Sequence, residues 1–250
     1  MKILAIDTSG NVATAAIYED GIITAEYSIH HKKLGRGNKN GEKTHSETLL
    51  PMIDEMVKGK GLDINELDAI AVSEGPGSFT GLRIGSATAK GMGLALNKPI
   101  VNVPTLKALA MNVYDEDAII CPIMDARRQQ VYNALYEYVK ADGDSLELKE
   151  LRAADALAVS ELLDILNEMG RKVVFLGDGV DVYKDVIKEN IKVPYSFAPA
   201  QMRYQRAGSV ALLGAKLVEE GKAVNASEHS PVYLRPSQAE RERAEALGEA

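Results

Sequence analysis

Cysteine occurs once in the 250 residues, aromatic residues amount to 5%, and basic side chains are outnumbered, 29 Lys and Arg facing 36 Asp and Glu. The lone Cys121, set in Ile119-Ile120-Cys121-Pro122-Ile123, can make no intramolecular disulfide and no thiolate metal cluster, which fits a reducing compartment. Scarce rings leave few stacking platforms for bases, and a net charge of −7 excludes a generally basic surface. The four histidines are too scattered for a metal centre of three converging ligands. No apolar run approaches the roughly 18 residues of a membrane span, so a cytoplasmic protein without membrane contact is expected.

What is present is an ordinary globular composition, 46% hydrophobic and 26% charged. Ile3–Asp7, Val12–Tyr18 and Ile22–Tyr27 form three apolar segments, the last two separated by Asp20-Gly21, and read as strands joined by tight turns. Residues 30–43 carry five Lys or Arg and three Gly with almost nothing apolar, the pattern of a solvated surface loop; phosphate contact is the less favoured reading. Thr44 and Glu47 have capping-box spacing and open a helix over about 44–58. A strand over 69–73, a glycine loop over 75–81, a helix over about 82–96 and a strand over 100–103 follow. Gly85, Ala89 and Gly93 stand four apart on that second helix, and such a row predicts close approach of another backbone.

The second half opens as the first did. Ile120–Asp125, a short turn and Val131–Tyr136 match Ile3–Asp7, its turn and Ala13–Tyr18. A strand over 147–151, a helix over 160–169, a strand over 173–176 and a helix over 182–189 continue the parallel. Two related α/β lobes are expected, residues 1–104 and 105–222, with a helix over 207–220 packing back on the first lobe and an extended tail over 223–250. A charged, Ala-rich helix over 239–250 is expected to order only against a partner.

Asp7, Thr8 and Ser9 lie at the exit of the first strand, and Asp125 is the counterpart of Asp7. Two such acids across a cleft suit a magnesium nucleotide, since Mg²⁺ favours hard oxygens and phosphates. An aspartate capping its own turn explains either acid as well. Gly75 and Gly77 begin a loop able to aim N–H groups at an anion. That loop lacks a Lys-Ser/Thr pair, Gly81 breaks the G-x-G-x-x-G spacing and Pro76 has no donor, so a structural strand-to-helix turn is favoured. Ser78 lacks the glycine two residues on that a nucleophile elbow requires. His45 has Leu49 one turn later, so a paired-histidine site is absent, and His30, His31 and His229 fall in segments that read as mobile.

Taken together, Ile3–Ser9, His45-Ser46-Glu47-x-Leu49-Leu50-Pro51, the eleven residues Gly75–Gly85, Asp125-Ala126-Arg127 with Val131-Tyr132, and Pro231-x-Tyr233-x-Arg235 resemble the bacterial TsaB family, also called YeaZ. The resemblance implies an actin-like, Hsp70-like two-lobe fold built from a duplicated βββαβα unit. It also implies a non-catalytic partner of TsaD, the paralogue that transfers threonylcarbamoyl to the adenosine beside the anticodon of certain tRNAs, with the ATPase TsaE joining them.

On that resemblance the chain pairs with TsaD, or with a second copy when alone, and meets tRNA only through TsaD. It has no catalytic residue, no metal ligand and no required cofactor, ATP or ADP with Mg²⁺ at the complex interface being the one nucleotide option. The helices near 44–58 and 82–96 are expected to form the partner face, through His45, Leu49, Ile53, Met56, Gly85, Ala89 and Met92, with Leu50 and Val57 turned to the core. Gln130 departs from the family's glutamate, and the tail after Arg235 matches nothing in the pattern. A stand-alone ATP-dependent kinase or ATPase of the same fold is the competing reading; it needs a base that the sequence does not display.

Overall fold

The computed structural model describes residues 1–31, 43–115, 117–141 and 146–235. Most of the basic loop expected over 30–43, and the whole of the helix expected over 239–250, lie outside them. Strands β1 (Lys2–Asp7), β2 (Val12–Glu19) and β3 (Ile22–His30) form an antiparallel meander. Asp20 and Gly21, with φ of 44° and 93°, make the tight turn between β2 and β3. Helix α1 (His45–Lys60), strand β4 (Ala69–Gly75), helix α2 (Phe79–Leu96) and strand β5 (Ile100–Pro104) complete a sheet ordered β3-β2-β1-β4-β5, whose last two pairings are parallel.

After helix α3 (Thr105–Ala110) the pattern repeats. β6 (Ile119–Asp125), β7 (Gln130–Lys140), β8 (Leu146–Ala158), α4 (Val159–Met169), β9 (Val173–Leu176), α5 (Gly179–Asn190) and β10 (Tyr195–Phe197) give the order β10-β9-β6-β7-β8. Strand by strand this is the order of the first sheet, with β6 in the place of β1, so the duplication legible in the chain is a duplication of topology. The third strand of the second unit is much longer than the expected 147–151. It stays paired with β7 from Gln130↔Ala158 to Lys140↔Leu146.

Each sheet is covered on both faces, which is why β1 shows no polar alternation. Leu4 and Ile6 join α1 and α2 in one core, while Ile3 and Ala5 face helix α7 (Ala207–Glu219), which follows the short α6 (Ala200–Arg203). Gly214 permits that crossing, since a Cβ there would stand 2.7 Å from the Cβ of Ala71. The second sheet packs α4 and α5 on one face and α3 on the other. Beyond α7 the chain returns along the first lobe. Ile100 and Val224 exchange backbone hydrogen bonds at 2.9 and 2.8 Å, and the Val232 N–H donates to the Glu74 carbonyl at 2.7 Å. His229, expected in a mobile segment, is buried with its Nδ1 2.5 Å from Asn102 Oδ1.

Candidate functional site

Strand β1 carries Asp7 into the angle between β4 and the start of α2, where the side chain is 1% exposed. Its Oδ1 accepts from the Ser9 N–H at 2.7 Å and the Ser9 hydroxyl at 2.6 Å, and its Oδ2 accepts from the Ser73 hydroxyl at 2.6 Å. Burial pushes the carboxyl above its ordinary range, partly offset by these donors. Thr8 Oγ1 donates to the Gly81 carbonyl at 2.7 Å, so the strand exit is bonded to the helix start.

The glycine loop closes on the same backbone. A Cβ at Gly77 would stand 2.5 Å from the Ser9 carbonyl oxygen, and one at Gly81 2.0 Å from that of Thr8. The Ser78 N–H donates to the Ser9 carbonyl at 2.6 Å, the Gly75 N–H to Thr105 Oγ1 at 3.1 Å and the Gly81 N–H to Ser78 Oγ at 3.3 Å. A magnesium nucleotide needs accessible carboxylate oxygens and open amides. Asp7 spends its oxygens on Ser9 and Ser73, Thr8 and Ser9 spend their hydroxyls on Gly81 and Asp7, and the Gly75 N–H goes to Thr105, so the strand exit does not fit such a ligand. The glycines serve close packing of β1 on α2, the structural alternative open from sequence.

Asp125 is half-buried at the matching strand exit. Its Oδ1 accepts from the Arg127 N–H at 2.9 Å and from the Tyr183 hydroxyl at 3.1 Å, while its own N–H donates to Asp178 Oδ1 at 3.3 Å. Burial first, then the charge of Asp125, raises the Tyr183 hydroxyl to about 12. Both acids therefore hold turns, each in its own sheet.

The helix pair corrects several expectations. Leu49, Ile53 and Met56 are at most 2% exposed, packed on Leu4, Ile6, Ala13 and Ile17. Ala89 lies in the same core, Met92 is half-buried against it, and Gly85 is buried against Thr8, whose Oγ1 would be 2.6 Å from a Cβ there. The row Gly85–Ala89–Gly93 thus meets this chain's own β1 and tail, since Gly93 faces Ala226. Leu50, expected in the core, is 53% exposed, and Leu94 is 64% exposed. The exposed residues include Leu50 and Pro51 on α1 and Ala87, Gly91, Leu94 and Ala95 on α2.

His45 is buried beside this face. Its Nε2–H donates to the Gly10 carbonyl at 3.0 Å, and its ring meets His31 edge-on at 4.7 Å. Burial lowers its basicity below the ordinary imidazole value. His45 is thus a core residue joining α1 to the β1–β2 turn. His31, expected in a mobile loop, is buried with it, and His30 ends β3. Among the described residues no group of three or more His, Cys, Asp or Glu could hold a metal ion.

The family model described as TsaD, tRNA N6-adenosine threonylcarbamoyltransferase, matches residues 22–243. The chain is 32% identical over 240 residues to the tRNA threonylcarbamoyladenosine biosynthesis protein TsaB of Bacillus subtilis, covering 96% of each. The chain belongs to the TsaB family. It is 26% identical to the TsaB of Escherichia coli, over 94% of this chain and 95% of that one. YeaZ from Pseudomonas aeruginosa superimposes with a TM-score of 0.70 at 25% identity, over 93% of this chain and 99% of that one. The fold is accordingly the actin-like two-lobe α/β fold that the repeated topology describes.

In this TsaB-family chain two rows of small residues run along α2, and spacing alone does not tell the exposed row from the buried one. Ala87, Gly91 and Ala95 also stand four apart, half a helical turn from the row Gly85, Ala89 and Gly93. Gly91 has nothing within 4 Å of where its Cβ would lie, so this chain's packing does not require glycine there. The available signal was the phase of α1. His45, Leu49, Met52, Ile53 and Met56 define its buried arc, and Leu50 and Pro51 fall outside it.

Proposed function

We propose that this chain is a non-catalytic subunit of the machinery that makes threonylcarbamoyladenosine in tRNA, and that it docks on TsaD through the outer face of α1 and α2. One observation carries the docking surface: Leu50 on α1 and Leu94 on α2 stand exposed, and Gly91, one helical turn before Leu94, has no neighbour within the chain to require its missing side chain. A helix pair offering two large apolar side chains next to a flat small-residue row allows close packing by a second helix pair. The relatives' role in tRNA threonylcarbamoyladenosine biosynthesis supplies the process.

Support for the non-catalytic reading comes from the strand exits. Asp7 is closed off by Ser9 and Ser73, and Leu49, one turn after His45, is buried core. The chemistry is therefore assigned to TsaD, in the cytoplasm, with TsaE joining the pair and a homodimer forming through the same face when TsaD is absent. ATP or ADP, where required, belongs at the junction with TsaD rather than at Asp7.

The test is reconstitution. The chain, TsaD, TsaE and a threonylcarbamoyl-adenylate source should modify tRNA, and omission of the chain should abolish the product while the chain alone yields none. Leu94→Glu should elute apart from TsaD in size-exclusion chromatography. Turnover of Mg-ATP with an acceptor by the isolated chain would favour the kinase reading instead.

A further inference from the structure

The chain beyond α7 is fastened to the first lobe at successive points. After the Ile100–Val224 pair, Lys90 Nζ donates to the Ser227 and His229 carbonyls at 3.2 and 2.9 Å. The Val232 N–H is held by the Glu74 carbonyl, and the Val232 carbonyl oxygen lies 2.3 Å from where a Gly75 Cβ would be. Gly75, with φ of 124°, needs to be glycine on both counts. Tyr233 then meets the Phe79 ring at 4.7 Å, and its hydroxyl accepts from Arg83 Nε at 3.4 Å.

Two residues later the tail reaches the other lobe. Arg235 Nη1 donates to the carbonyl of Ala126 at 3.1 Å. Ala126 opens the β6–β7 turn, its own N–H donating to the Gln130 carbonyl at 3.0 Å. The tail therefore joins the end of β4, beside Asp7, to the turn after Asp125. Elsewhere the lobes are connected by the chain itself, at residues 104–105 and 203–207, and by α3 against α7, where the Ser209 hydroxyl donates to Asn112 Oδ1 at 2.7 Å. The second of these crossings carries Gln205, 2% exposed and with no partner for either amide atom, so movement there sacrifices no hydrogen bond of that side chain.

We propose that residues 223–235 form an interlobe strap, clasped by Arg235 on Ala126, which fixes the angle between the lobes and on release lets them swing about residues 104–105 and 203–207. The clasp is effective because Val232 and Tyr233 are already anchored, which presents the guanidinium to its acceptor with little ordering left to be done. It is releasable because Val232, Tyr233 and Leu234 are 45%, 39% and 37% exposed, so the strap's end is held by a few polar contacts rather than by deep burial. This goes beyond the function proposed above and does not rest on docking to TsaD.

The experiment measures the distance between spin labels placed by Glu55→Cys on α1 and Lys184→Cys on α5, both exposed positions, while the buried Cys121 resists labelling. Excess unlabelled chain removes distances between molecules. The parent should give one narrow distribution. Arg235→Ala, and a chain ended after Ser230, should each broaden it with a second, shifted component, and Arg235→Lys, which keeps a charged donor, should restore the parent's. Hydrogen exchange of the Val232 N–H should quicken roughly tenfold in Arg235→Ala, the order expected for loss of one hydrogen bond from a charged group. Circular dichroism of all variants should match the parent, since residues 231–235 belong to none of the hydrophobic cores. An unchanged distance distribution in both Arg235→Ala and the shortened chain overturns the proposal. Faster Val232 exchange without a change in distance overturns it too, for it marks a tail that serves one lobe alone.

Discussion

Thr8 and Gly81 are locked together: the Thr8 hydroxyl donates to the Gly81 carbonyl at 2.7 Å, and the Thr8 carbonyl lies 2.0 Å from where a Gly81 Cβ would be. The obstruction is backbone, which cannot swing aside as a side-chain tip can. Gly81→Ala should therefore destabilise the chain by about 3 kcal/mol, at the upper end of overpacking costs. Gly91→Ala should do the opposite. It sits in the same helix with open space around it, and removing its helix-propensity penalty should stabilise the isolated chain by about 1 kcal/mol. Urea unfolding of the two variants beside the parent checks both signs.

Burial divides the apolar residues of α1 and α2 into two groups with different expected phenotypes. Met56 is 1% exposed, so Met56→Ala should cost about 2–5 kcal/mol of folding stability and Met56→Glu should unfold the lobe. Leu50→Glu and Leu94→Glu touch exposed positions and should shift stability by no more than about 0.5 kcal/mol. Their effect should appear in TsaD association, weakened roughly thirtyfold if either leucine is a central contact. Calorimetric titration against TsaD, run beside thermal unfolding, separates the groups.

The strand–acid–turn–strand repeat was legible because it is written in local residue order, Ile3–Asp7 and Ile120–Asp125 each being an apolar run that ends in an aspartate. Helix positions were legible for the same reason, the Thr44–Glu47 box being present with the Thr44 N–H 2.7 Å from Glu47 Oε2. The direction of the helix faces was not. Period alone gives a stripe, and whether Gly85–Ala89–Gly93 meets a partner or this chain's own β1 depends on how α2 rolls on the sheet. That roll is set by Thr8, Ala226 and the tail, which are distant in sequence. His229 was misread for a related reason, since its partner Asn102 lies 127 residues earlier.

Two buried histidines set the expected acid sensitivity. In His45, burial lowers the pKa against a smaller opposing effect of the Gly10 carbonyl; in His229, burial lowers it and the charge of Lys90 adds to that. For a base whose folded pKa lies below its unfolded value near 6.5, the unfolded chain binds more protons in acid. Stability is therefore complete above about pH 6.5 and should fall as the pH drops below it. His45→Gln should flatten this fall relative to the parent in denaturant titrations between neutral and mildly acidic pH. An equally steep fall in that variant and in His229→Gln would show that other groups govern the acid limb.

Asp7 predicts the reverse dependence. Its folded pKa is raised by burial, so the folded chain holds the proton more tightly than the unfolded one. Its contribution is greatest below the unfolded value near 3.8 and is lost as pH rises through the folded pKa, which leaves the ionised carboxylate a net cost at neutrality. Asp7→Asn keeps a carbonyl oxygen for the Ser9 N–H, and its amide can donate to the Ser73 hydroxyl, which turns to accept. The variant should thus be as stable as the parent or more so at pH 7, with its advantage shrinking as the pH is lowered. The comparison is the difference in unfolding free energy between variant and parent across that range. A loss beyond about 1 kcal/mol at neutral pH, together with Mg-ATP binding by the parent that the variant lacks, would instead return Asp7 to a nucleotide-binding role.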